Sequence, residues 1–188
     1  MKNINNLYKK TEQFVIDSFI KIGKEQEVKH LLRTAYWIKQ LKKNADEALL
    51  ISAVAHDIER AYRKEDVKKI IKSGFLSKDF LRLHQERGAE ITADFLKKQK
   101  ADNKLIEKVK QLILRHEDGG NEEQNLLKDA DSLSFFECNV NKFLDKAETK
   151  GKEYVKEKFE WMYNRITSKK AKERAKPLYE DAVKKLDR

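Results

Sequence analysis

Apolar positions recur three or four residues apart through most of this chain, and no sustained apolar–polar alternation, internal repeat or low-complexity linker interrupts them. That spacing marks helices with one buried stripe rather than strands. A first helix opens at Asn5 or Asn6 and runs through Ile22 on the stripe Leu7, Phe14, Val15 and Phe19, with Gly23 ending it. A second, over about 24–43, repeats Val28, Leu31, Leu32, Ala35, Ile38 and Leu41, and His30 lies beside that stripe rather than on the charged face. Asn44 or Asp46 caps a third helix through ALLISAVAHDI. Its near-continuous apolar character makes it central, and it carries His56 and Asp57 at its C-terminal end.

The middle of the chain is more broken. A short helix is expected over 65–72, stopped by Ser73 and Gly74, and Ser77 with Asp79 begins another turn leading to His84. Residues 88–99 read as a further amphipathic stretch. Asp102 caps a helix with Leu105, Ile106, Val109, Leu112 and Ile113 on its face, and His116 arrives at its end. The segment EDGGNEEQ is the clearest loop, after which helix resumes over 126–143 with Asp131 one turn beyond Leu127. Two terminal helices follow, over about 152–166 and 168–186, the last kinked by Pro177. The expected fold is all-α, a single domain over 1–188.

Composition narrows this reading. A chain of 188 residues buries a real core, and 39% charged residues with one Pro and six Gly describe a solvated helical protein. No run approaches the ~18 apolar residues of a membrane span, and MKNINNLYKKTEQ lacks the apolar stretch of a signal peptide. Cys138 is the one cysteine, which excludes disulfide architecture and thiolate metal centres. A reduced cytoplasm is the expected location, and Cys138, within SFFECNV, reads as a core residue. The net charge of +10 is spread along runs that acidic residues interrupt, with no nucleic-acid recognition pattern beside them. Nucleic acid is therefore disfavoured, whereas steering of a phosphate-bearing substrate fits.

One constellation carries chemistry. All four histidines, His30, His56, His84 and His116, fall with Asp57 and Asp131 into the order H…HD…H…H…D. Imidazole and carboxylate donors in that number suit two divalent ions, drawn from Mn, Fe, Co, Ni or Zn. The donors are far apart in sequence, so several helices must converge to bring them together.

Through KHLLR, AHDIER, LHQERGAEI, ILRHEDGG and LLKDADSL, spanning about residues 25–140, the chain resembles the HD superfamily of metal-dependent phosphohydrolases. The closing WMYNRITSKKAKERAKPLYEDAVKKL is similar to the basic C-terminal helix of some small bacterial members. The resemblance implies an HD-type helical bundle around a central metal site. His30, His56, Asp57 and Asp131 would bind one metal, and His84 and His116 a second, with Asp57 bridging both. The implied activity is hydrolysis of a small phosphate ester or nucleotide by metal-activated hydroxide. Arg60 stands where many relatives, reading HDIGK, have lysine, and is a candidate catalytic and substrate-binding cation. Arg33, one turn after His30, Arg115 and Lys128 are further candidates for substrate contact. Glu59 and Glu117 are candidates to orient the ligating histidines. The absence of GYP after His116, and of an acidic pair after the HD dipeptide, disfavours cyclic-di-GMP phosphodiesterase and alarmone hydrolase activities. A di-iron oxygenase of the same fold and a non-catalytic signalling or binding module are the alternatives, and the oligomeric state is open.

Overall fold

Every regular element among the residues described in the computed structural model, 6–63 and 77–188, is helical. In chain order these are α1 (Asn6–Ile20), α2 (Glu25–Leu41), α3 (Glu47–Ala55), a 3-10 turn (Ile58–Ala61), α4 (Lys78–Lys98), α5 (Asn103–Ile113), α6 (Glu122–Cys138), the short α7 (Val140–Leu144) and α8 (Ala147–Lys150), α9 (Lys152–Asn164) and α10 (Lys169–Asp187). The helix expected over 65–72 lies outside the described residues. No helix among them is long and apolar enough to cross a membrane.

The apolar run of the third helix does what its composition demands. From Ala48 to Ala55, all of α3 except Leu50 is buried, between α1, α2 and α5. Asp46 starts it by accepting from the Leu49 N–H at 2.9 Å, the arrangement that satisfies an otherwise orphaned helix donor. The helix stops at the HD pair: His56 is its C-cap and Asp57 begins the 3-10 turn.

α6 lies against α2 in the most extensive helix–helix contact of the fold. Every residue from Leu127 to Phe136 is buried, and half of them are polar. Burying a polar group is tolerable only when it is hydrogen-bonded, and each of these is. Asp129 accepts from the backbone of Thr167 and Ser168, both at 2.8 Å, and so holds the connection between α9 and α10. Lys128 reaches the Asp118 carbonyl at 3.3 Å, Ser132 accepts from Arg165 at 2.8 Å, and Ser134 binds His30.

Three boundaries differ from the sequence reading. α4 runs unbroken through Gly88, which serves packing rather than punctuation. A Cβ there would lie 3.2 Å from the His56 carbonyl oxygen, so glycine lets α4 cross close to the end of α3. The loop after His116 is shorter than EDGGNEEQ, because Asn121 and Gln124 form a capping box that opens α6 at Glu122. The helix expected over 126–143 divides at Asn139, after which α7 leads away. α10 continues through Pro177 to Asp187. A second apolar cluster, built on Phe135, Phe136, Val155 and Phe159, joins α9 and α10 to the far end of α6. Cys138, at the end of α6, is half-buried, and burial pushes its thiol up.

Candidate metal centre

Five elements deliver the histidines and aspartates to one place. His30 comes from α2, His56 and Asp57 from the end of α3, His84 from α4, His116 from the turn after α5, and Asp131 from α6. All six are buried. Neighbouring imidazole centroids stand 5.4 Å (His30–His56), 5.1 Å (His56–His116) and 5.3 Å (His84–His116) apart. Among the described residues two groups have donor atoms mutually close enough for an ion: His30, His56 and Asp57, and Asp57, His84 and His116. Asp57 belongs to both. Its Oδ2 lies 3.8 and 3.7 Å from the Nε2 atoms of His30 and His56, and its Oδ1 lies 2.9 Å from His84 Nε2. Asp131 Oδ1 closes the first group at 3.0 Å from His30 Nε2 and 3.4 Å from His56 Nε2.

The hydrogen-bond network assigns the tautomers. Nδ1 of His56 donates to the Ala53 carbonyl at 2.9 Å, and Nδ1 of His116 to that of Ile113 at 2.7 Å. Ser134 donates its proton to the His30 carbonyl at 2.7 Å, so at 2.9 Å it accepts from His30 Nδ1. Nδ1 of His84 donates to Glu59 at 2.8 Å. Each imidazole is thus held by Nδ1 and presents Nε2 to the shared space. The Nε2 atoms of His56 and His116 are buried with no hydrogen-bond partner, a state that costs about 1–3 kcal/mol apiece. A cation supplies what these buried ring nitrogens and the two carboxylates lack. The donor set can hold a metal ion.

Charge around the cluster points the same way. Burial alone would raise the Asp57 carboxyl, but Arg60, His56 and His84 hold it well below the usual carboxylate range. Burial alone would lower His56, but Asp57 and Asp131 raise it to about 9, whereas burial with His56 and His84 nearby lowers His116 to about 4. Glu59, opposed by its burial, is brought down to about 2 by His84 and Arg63. The acids draw positive charge inward, while His116 keeps its lone pair.

A cavity of about 250 Å³ opens above the cluster, with His30, His84 and Asp131 in its floor. Arg60 enters it, Nη2 lying 2.9 Å from Asp57 and Nη1 3.6 Å from Glu27. The other cations considered from sequence stand outside its lining. Arg33 is bound by Glu137 and stacks on Tyr36, Lys128 packs beneath the Gly119 loop, and Arg115 donates to the Gly119 carbonyl. Of the two glutamates, Glu59 orients His84, and Glu117 is engaged by Arg165.

Arg165 escaped the sequence reading. It bridges Asp131 Oδ2 and Glu117, donates to Ser132, and lies 4.5 Å from the Trp161 ring centroid. The signal was present: Val155, Phe159 and Met162 form the buried stripe of α9, and Arg165 is the next position of that spacing. Ser134, Glu27, Lys142, Lys146 and Lys158 were also missed, because each meets the site through a tertiary approach that no local pattern announces.

Comparison with curated proteins and with solved structures returns no match in either case. A family match covers residues 10–185, most of the chain, and the protein accordingly belongs to the DUF4202 family, a domain of unknown function.

Proposed function

We propose that the protein is a metal-dependent phosphohydrolase acting on a small phosphorylated substrate, a phosphomonoester or nucleotide. The observation that carries this reading is Asp57, with Oδ2 toward His30 and His56 and Oδ1 toward His84, buried beneath a cation-lined cavity whose floor holds His30, His84 and Asp131. The likeness of the ligand order to HD phosphohydrolases supports it. His30, His56, Asp57 and Asp131 would hold one divalent ion, and His84 and His116 with the other oxygen of Asp57 a second. Bound there, such ions lower the pKa of water and neutralise phosphoryl charge. The protein's own part is positional. Glu59 and Ser134 fix the rings of His84 and His30. Arg165 occupies Asp131 Oδ2 and leaves Oδ1 to the site. Arg60, reaching in from the cavity wall, would bind a phosphoryl oxygen.

Two measurements test the reading. Elemental analysis of anaerobically prepared protein should find divalent metal, and Asp57→Ala should deplete both sites, whereas His84→Ala should leave roughly one ion. A phosphate-release screen with Mn, Co, Ni or Mg should show turnover without oxygen, abolished in Asp57→Ala. Turnover seen only with iron and dioxygen would transfer the site to oxygenase chemistry, and filled sites with no turnover would favour a binding role.

A further inference from the structure

The wall of the cavity remote from the metal cluster has a chemistry of its own. Lys142 of α7 and Lys146, in the turn between α7 and α8, line it together with Lys158 of α9. Arg60 faces the same space. Glu27 is already engaged by Lys142 and Arg60. Lys146 forms no ion pair among the described residues; its Nζ sits 4.0 Å from the Phe143 ring centroid. Burial, with Lys142 and Arg60 nearby, holds its ammonium below the ordinary lysine range. Among the described residues the cavity lining therefore holds more cations than acids, the acids being Glu27, Glu117 and Asp131, and this excess of positive charge is relieved by an incoming anion.

The aromatic side chains of this wall do not offer a bare stacking platform. Phe143 has Lys146 at 4.0 Å and Lys158 at 5.9 Å, and Lys158 also lies 5.6 Å from the Phe135 centroid and 4.2 Å from that of Trp161. These rings seat cations. The volume of about 250 Å³ also falls below the roughly 300–1,000 Å³ typical of ligand pockets. A base-stacking substrate fits this wall poorly, and a compact acid fits it well.

We propose that Lys142, Lys146 and Lys158 form a second anion subsite, so that the substrate is a compact phosphate ester bearing another acidic group, phosphoryl or carboxylate, at its remote end. The first anion in this scheme rests on the phosphohydrolase reading above; the second rests on the lysine wall.

Binding of non-hydrolysable probes separates the two. Calorimetry on the metal-loaded protein would compare butylphosphonate with 4-phosphonobutyrate and butane-1,4-diphosphonate. The two-anion probes should bind about ten-fold or more tightly than butylphosphonate, and the tighter of them identifies the second group. Lys146→Met and, separately, Lys142→Met should each shrink that ratio. Equal affinities in the wild-type protein, a ratio unchanged in both variants, or tighter binding of adenosine monophosphate than of either two-anion probe would overturn the subsite. A two-anion preference without any phosphate release would leave the subsite standing and remove the hydrolase reading. Hydrolysis without the preference would do the reverse.

Discussion

Ser134 shows how much of the centre depends on single atoms. Its hydroxyl donates to the His30 carbonyl and accepts from His30 Nδ1, so one proton on each partner decides which ring nitrogen faces the cluster. Ser134→Ala should keep the fold and weaken divalent binding about 10–100-fold, the usual consequence of losing a partner behind a ligating histidine. Competition against a chromogenic chelator measures this, and unaltered affinity would show that packing alone orients His30. The candidate set of six was legible as a set, since its order along the chain is distinctive, and the fold brings these residues together. Ser134 was not: it meets His30 across 104 residues, and one serine in SFFECNV has no local mark. Arg33 illustrates the converse. Helical spacing places it one turn after His30, but Glu137 and Tyr36 draw the guanidinium to another side.

At the scale of elements, α3 must end at a fixed height to present His56 and Asp57, and two contacts govern that height. Asp46 caps its start and pairs with Lys108 at 2.6 Å. Against its own partial burial, Lys108 and the Leu49 N–H hold the Asp46 carboxyl below its ordinary range. A carboxyl depressed in the folded state stabilises it above the ordinary carboxylate pKa and loses that contribution as pH falls. Asp46→Asn keeps a capping side chain without the charge, so its stability should approach that of the wild type as denaturation is followed into acid. Asp46→Ala should cost about 1 kcal/mol at neutral pH. A wild-type–Asn difference that stays constant from pH 7 to strong acid would exclude the charged role. Gly88 governs the other end. Alanine there gains about 1 kcal/mol of helix propensity, yet its Cβ would crowd the His56 backbone oxygen, which cannot rotate away. Gly88→Ala should therefore displace His56 and lower metal affinity; a more stable variant with wild-type affinity would refute that. The helices were readable from spacing, but the role of this glycine was not, because its constraint comes from another helix.

For the molecule as a whole, the joint between the α9–α10 pair and the ligand-bearing helices is polar at its centre. Arg165 bridges Asp131 and Glu117, and Asp129 fastens the chain entering α10. Removing one partner of a buried ion pair costs about 3–5 kcal/mol, because the remaining charges stay buried. Arg165→Ala should therefore melt well below the wild type. Added divalent ion should recover more of its melting temperature than it adds to the wild type, since the ion would replace the missing positive charge. An unchanged melting temperature would show the joint to be held by the Phe159 cluster instead. The all-α class was evident from periodicity, whereas this joint was not, since Arg165 lies 34 residues from Asp131 and 48 from Glu117.

That separation gives the protein a history during its own synthesis. Arg165 follows Asp131 by 34 residues, so at roughly 5–20 residues per second Asp131 and the five residues clustered with it leave the ribosome seconds before the guanidinium that pairs with Asp131. Until α9 docks, the nascent cluster carries more uncompensated negative charge than the finished one. Its pull on passing cations is then strongest, so an ion captured during translation is one that the completed centre would enclose.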